Sequence, residues 1–538
     1  MEAEKILSLV SSEIKSFYYQ PNLRHVNDSE LVDYATNLGI RTQHGSLAFS
    51  SHIRSSSLPF TVYVGSDSVT QKNLSLSQQR ILANLPSTLE KVHHYMKKVP
   101  FVCLEKTMCN NEDFNPRCIL FTSLYRKDSI RLPFLCGQSL FNLSNRPGPK
   151  LYLLCIPEWP LEERQTIVFP EIGATYILGS DCFSEMKRGF LRIAMWFAKE
   201  KKMLALWAGA KLVHIFDEKD NRIKNYGALF IGSPQTGKTI HVGDTLGLKG
   251  KGERTKVIQD EVVFVKQNRQ VLGTEKVFWV RTHLLDSQIQ PLFWRATLNK
   301  KTLFENVIVD HQGRLDFQDS TLTGDGRALL QIQDLIQDDE NINFPPIDEL
   351  DGLKIFILTK SNTVVPPVSL LNPAQAVALF ILGESIESDS NGESLVRTPA
   401  SNPLLIGEIE QEAEGFWNFI EYNREKIQMY LVNTGSVGKP VGPECGKKRK
   451  CRPKTIEISE LSTIIRAIFK GSINWTKASH WEVSVPQTVE NITMDQYKLE
   501  NFYSTEEIKQ LISQLRAERR KYLQRFPNLP SSIREAVI

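Results

Sequence analysis

Gly232-Ser233-Pro234-Gln235-Thr236-Gly237-Lys238-Thr239 fits the pattern G-x-x-x-x-G-K-[ST] without a mismatch. In that pattern glycines let backbone N–H groups turn inward around phosphate oxygens. The lysine supplies a point charge, and the Ser/Thr hydroxyl a ligand for Mg²⁺. The run Gly227-Ala228-Leu229-Phe230-Ile231 before it reads as a buried strand feeding the loop. The residues after it read as a helix, whose N-terminal dipole favours an anion. Gly232, Gln235, Thr236, Gly237, Lys238 and Thr239 are therefore the expected phosphate contacts, with Thr239 also on the metal. A chance match in a surface turn is the alternative, and the strand ahead of the loop argues against it.

A phosphate loop binds a nucleotide without fixing a reaction, and it needs an acidic group to hold the metal. Val257-Ile258-Gln259-Asp260-Glu261 places two carboxylates at the end of a short apolar strand. Asp260 is the expected metal-side carboxylate, with Glu261 second. Arginine suits bidentate contact with phosphate, yet Arg327 taken alone reads as a surface residue.

The chain has 538 residues, 41% hydrophobic and 23% charged, which suits two or more domains with cores of their own. A net charge of +4 is small for this length and does not point to nucleic acid. No run of about 18 apolar residues predicts a membrane span. Met1-Glu2-Ala3-Glu4-Lys5 lacks the features of a signal peptide, so a cytoplasmic protein is expected. The eight cysteines form no C-x-x-C pair and read as scattered free thiols. The basic run 446–454 has no interleaved aromatics and reads as a solvated loop rather than a nucleic-acid patch.

Residues 1–20 predict an amphipathic helix with Ile6, Leu7, Val10 and Ile14 on one face. From 40 to 210, β-rich runs alternate with helical segments. Strands and loops dominate from 211 to 380. The polar segment Glu384–Pro399 reads as an exposed mobile loop and a candidate lid. Ser504 and Glu507 form a capping box ahead of a C-terminal helix.

An ordered series of motifs resembles the ATP-type phosphoenolpyruvate carboxykinases. Glu185-Met186-Lys187-Arg188-Gly189 resembles their G-G-E-M-K-K-G, and Gln259-Asp260-Glu261 their D-D-E. Glu305-Asn306-Val307, Gly313-Arg314-Leu315-Asp316-Phe317 and Thr323-Gly324-Asp325-Gly326-Arg327 resemble E-N-V, G-x-x-D-F and T-E-N-T-R. Val365-Pro366-Pro367-Val368-Ser369 and Tyr430-Leu431-Val432-Asn433-Thr434-Gly435 resemble L-P-P-V-S and Y-L-V-N-T-G, and Arg54-Ser55 resembles the start of R-S-P-K-D-K-Y. The resemblance implies a two-domain α/β fold: 1–210 on the substrate side, 211–538 carrying the phosphate loop, and the ligand in the cleft between. The family converts oxaloacetate and ATP to phosphoenolpyruvate, ADP and CO₂, a step of gluconeogenesis, with Mg²⁺ on the nucleotide and Mn²⁺ as second metal. By resemblance, Lys238 meets the β/γ-phosphates, Thr239 the Mg²⁺ and Asp260 the second metal. Arg327 lies near the transferring phosphoryl, and Lys187 and Arg54 serve the substrate.

The departures concentrate on the Mn²⁺ and oxaloacetate side. The family's metal-binding lysine is here Arg188, which cannot coordinate a metal, and its metal-binding histidine falls on Trp207. Gln259, Cys182, Phe183-Ser184, Pro234-Gln235 and Ser462 also depart from the pattern, and F-E-G-G-C-Y-A-K has no match around Val271–Val280. Three readings follow. The first is a carboxykinase-like protein that binds ATP and Mg²⁺ with degraded or altered decarboxylation chemistry, or a kinase of another acceptor. The second is an active ATP-dependent carboxykinase with a rebuilt metal site. The third is a non-enzymatic interaction protein.

Overall fold

The structure is a computed structural model describing residues 3–53, 57–69, 71, 73–266, 270–322, 324–335, 341–389, 392–439 and 452–538. Arg54, Ser55, Thr323 and most of the basic run lie outside the described residues. The chain forms two compact units that interleave along the sequence. The first holds Met1–Met203, Gly273–Leu285 and Leu292–Ile342; the second holds Leu204–Leu272, Asp286–Pro291 and Asn343–Ile538. A single boundary at 210 would leave 273–285 and 292–342, with Arg327, in the phosphate-loop half; by contact they pack in the first unit.

In the first unit a seven-stranded mixed sheet runs in the order Leu23–His25, Phe101–Thr107, Arg117–Ser123, Lys150–Ile156, Ala174–Leu178, Gln165–Phe169, Thr61–Tyr63. Its central strands are buried almost continuously, as expected of a sheet covered on both faces. Alternation sorts the two faces. Tyr152, Leu154 and Ile156 join a core with Ile6, Val10 and Ile14 of the first helix, Ala3–Phe17. On the other face, Leu153, Thr175 and Ile177 lie so near Gly189 that a Cβ there would meet Leu153 Cδ1 at 2.6 Å. The helix Phe183–Glu200, which carries Glu185, Lys187 and Arg188, is thereby seated on the sheet.

A second sheet in this unit orders Val277–Arg281, Arg327–Gln331, Leu303–Glu305, Leu47–Phe49 and Ile40–Arg41. Its register sets Arg281 opposite Arg327 and Arg327 opposite Glu305.

The second unit is built on an eight-stranded sheet. Arg222–Gly232, Gly352–Thr359 and Ile427–Asn433 run parallel at its centre, with antiparallel strands on both sides. Phe230, Phe356 and Tyr430 stand in register on these strands and stack at 5.0 and 5.4 Å between ring centroids. The phosphate-loop sequence leaves the C-terminal end of the first of these strands, where ligands bind in open α/β sheets.

Glu384–Pro399 is a hairpin of Glu384–Asp389 against Gly392–Arg397, not the exposed mobile loop its polarity suggested. Its base is pinned. Glu384 is buried between Arg397, 2.8 Å away, and Arg519, 2.6 Å away, on the C-terminal helix Thr505–Leu523. That helix opens with the expected Ser504/Glu507 capping box. Burial pushes the Glu384 carboxyl up, but the Arg519 and Arg397 guanidiniums outweigh it and hold it below its usual range. Among the described residues no helix is long and apolar enough to cross a membrane.

Replacing Glu384 with Gln removes the carboxylate that Arg519 and Arg397 share and should destabilise the protein by about 3–5 kcal/mol. Urea unfolding at neutral pH measures this. The stabilisation from ionised Glu384 is present above about pH 4.3, the unfolded carboxyl value, and is lost as pH falls through the depressed folded value. The gap between wild type and Glu384→Gln should therefore narrow in acid.

Candidate functional site

Gly237 sits at φ +88, where a residue with a Cβ is strained, and caps the short helix Lys238–Gly243. A Cβ on Gly232 would come within 2.5 Å of Thr236 Oγ1 and 2.9 Å of Leu358 Cβ, so glycine is required by contact. Gln235 adopts φ +69, a left-handed conformation costing roughly 1–2 kcal/mol for a non-glycine residue. Ser233 Oγ donates to the Gly383 carbonyl (2.6 Å), and Gln290 Nε2 to the Thr239 carbonyl (3.2 Å). These two contacts, invisible in the sequence pattern, fix the two ends of the loop.

Inside the loop, Lys238 Nζ donates to the Gly232 carbonyl at 2.7 Å and lies 5.1 Å above the Trp207 ring. Burial pulls its pKa down to about 7, with the Asp260 charge opposing. Thr239 Oγ1 donates to Asp260 Oδ2 at 2.8 Å. A hydroxyl and a carboxylate are thus held together beside the loop lysine, a hard-oxygen pair of the type that takes Mg²⁺. Lys211, buried on the strand Ala208–Asp217, spans the His241 and Asp244 carbonyls at 2.6 and 2.8 Å and fixes the end of the short helix.

Gly232, Gln235, Thr236, Gly237, Lys238, Thr239 and Asp260 all belong to the second unit; Lys187, Arg188 and Arg327 belong to the first. Lys187 pairs with Glu275 at 2.6 Å, both side chains nearly inaccessible. Burial raises the Glu275 pKa, and Lys187 opposes it. Arg188 pairs with Glu185 at 2.9 Å. Arg327 and Arg281 share the Asp325 Oδ1 atom at 3.0 and 3.3 Å. Like charges directly opposite in a sheet repel, and Asp325 relieves this only in part. The Arg281 pKa is lowered, first by burial and then by the Arg327 charge. Arg281 and Arg327 thus share one carboxylate, an arrangement suited to an anion.

Glu275, Arg281 and Gln290 were missed by sequence reading; each becomes visible only through a partner far away in the chain. The described residues bring three His, Cys, Asp or Glu ligand atoms together at one place, His25, Cys103 and Glu105, in the first unit. Asp260 is in no such group, Arg188 offers no lone pair, and the Trp207 indole packs on a cation. These donors do not fit the second metal that the resemblance implied.

The family profile for phosphoenolpyruvate carboxykinase matches residues 20–495. The phosphoenolpyruvate carboxykinase (ATP) of Aeropyrum pernix is 25% identical over 445 residues, 81% of this chain and 83% of that protein. The enzymes of the same name from Brevibacillus brevis and Lysinibacillus sphaericus are 24% and 25% identical. Those alignments cover 61% of this chain and 58% of each relative. One profile runs through residues of both units, and the chain belongs to the ATP-type phosphoenolpyruvate carboxykinase family.

Proposed function

We propose that this protein binds ATP with Mg²⁺ on the carboxykinase scaffold and does not carry out Mn²⁺-dependent conversion of oxaloacetate to phosphoenolpyruvate. The observation that carries this reading is the stacking of Lys238 on Trp207 beside the Thr239–Asp260 pair. The phosphate side keeps both loop glycines, Lys238, Thr239 and Asp260. At the position where the family has a metal-binding imidazole, an indole instead supports the loop lysine. On nucleotide binding, Lys238 exchanges the Gly232 carbonyl for phosphate oxygens. Thr239 and Asp260 would hold Mg²⁺, which neutralises phosphate charge. Arg327 and Arg281 bind and orient an anionic acceptor, and Arg54 and Lys187 keep the substrate-side roles that the resemblance implies. The protein's place is expected to be the cytoplasm, and its acceptor a small anion.

A second reading, an active carboxykinase with a rebuilt metal site, is favoured by Lys187, Arg327 and Asp260. Under either reading ATP·Mg²⁺ binds. Lys238→Ala should weaken it about 10–100-fold, the loss of one charge-assisted hydrogen bond. Thr239→Ala and Asp260→Asn should each weaken it, and their double variant should lose less than the sum because the two groups share one bond. Calorimetry checks this, and wild-type protein that fails to bind ATP·Mg²⁺ would refute both readings.

The two readings separate with Mn²⁺. The wild type should form no phosphoenolpyruvate from oxaloacetate and ATP, with or without Mn²⁺. Mn²⁺-dependent turnover by the wild type would establish the second reading instead.

A further inference from the structure

We propose a second anion site in this protein, a pocket on the C-terminal helix that takes a small phosphate-bearing molecule. A cavity of about 270 Å³ is lined by His480, Lys509, Ile512, Ser513, Arg516 and Arg520. All but His480 lie beyond residue 495, where the family match ends. Lys509, Ser513, Arg516 and Arg520 follow one another at spacings of 4, 3 and 4 on the helix Thr505–Leu523, so they share a face. His480, from the turn after the strand Asn474–Lys477, closes the other side.

The lining contains four side chains able to carry positive charge and no carboxylate. Three carboxylates reach it from the rim. Glu500 lies 2.9 Å from His480, Glu535 3.1 Å from Arg520, and Glu482 4.0 Å from Arg516; all three are more than half exposed. Lys509 has no carboxylate partner among the described residues.

Arg516 is the anchor. Its side chain is only 22% exposed, its guanidinium lies 5.6 Å over the Trp481 ring, and its buried Nε has no acceptor among the described residues. Trp481 is itself fixed by a hydrogen bond to the Val364 carbonyl, and the next residue's carbonyl accepts from Gln375 Nε2. A pre-positioned guanidinium with donors to spare, flanked by a lysine, a second arginine and a hydroxyl, matches the several oxygens and planar faces of a phosphate. The cavity's size suits a diphosphate or a small organic phosphate, not a macromolecule.

The test is calorimetric titration of inorganic pyrophosphate into the full-length protein at near-physiological ionic strength. Three variants accompany it: Lys238→Met, Lys509→Ala/Arg520→Gln, and a control, Lys300→Ala/Lys301→Ala, with the same charge loss on exposed residues of the other unit. Circular dichroism checks that each is folded. The proposal expects a binding event that survives Lys238→Met and the control and weakens about tenfold or more in Lys509→Ala/Arg520→Gln. It is overturned if Lys238→Met removes all pyrophosphate binding, if the control weakens it equally, or if none is found. Retention on phosphoinositide vesicles without binding of soluble pyrophosphate would likewise overturn it, assigning the patch to a lipid surface.

Discussion

Arg131, only 4% exposed, sits between two carboxylates in the first unit: Glu305 at 2.5 Å and Asp181 at 2.9 Å. Arg131 comes from the helix Arg131–Ser139, Asp181 from the connection between the strand Ala174–Leu178 and the helix Phe183–Glu200, and Glu305 from a strand of the second sheet. Both sheets therefore depend on one buried guanidinium. Burial pushes the Asp181 carboxyl up, but the Arg131 charge and the His52 and Ile53 amides outweigh it and hold it low. Those amides lie 2.8 and 2.9 Å from its oxygens, and Asn306 takes the Ser51 amide at 2.8 Å. The segment leading to Arg54 is thus held from two directions, by residues whose charges would be costly without Arg131. A buried ion pair of this kind is weak evidence for stability as such; its use is to specify one arrangement.

What was legible in the sequence was local. The loop signature, the apolar strand before it, the first helix and the Ser504 capping box each rest on residues a few positions apart, and the structure has them where they were expected. Asp260 was legible because it ends a strand soon after the loop. The Arg131 network was not, because residues 131, 181 and 305 carry no pattern that joins them. The hairpin at 384–397 was read as a loop because a two-stranded ribbon with polar side chains shows no hydrophobic alternation. Its anchor, Arg519, lies 135 positions away. The interleaving of the units was hidden for the same reason: 292–342 follows the loop in sequence but pairs with strands near residue 48.

The departures from the family pattern have a common physical sense. A metal-binding imidazole offers a lone pair to a divalent ion; an indole offers none, but its face attracts a cation at close range, an interaction worth about 0.5–2 kcal/mol. With Trp207 beneath it, buried Lys238 keeps a favourable partner before any phosphate arrives. On the first unit, the lysine-to-arginine change at 188 makes the same exchange in another form, a coordinating group for a permanent charge. Guanidiniums at 188, 281 and 327 can bind and orient an anion and stabilise charge spread over phosphoryl oxygens. They cannot act as a Lewis acid at an enolate oxygen, which is what a second metal supplies. On the reading proposed above, fixed cations in place of metal donors would keep phosphate binding and remove the polarisation that decarboxylation and phosphoryl acceptance require.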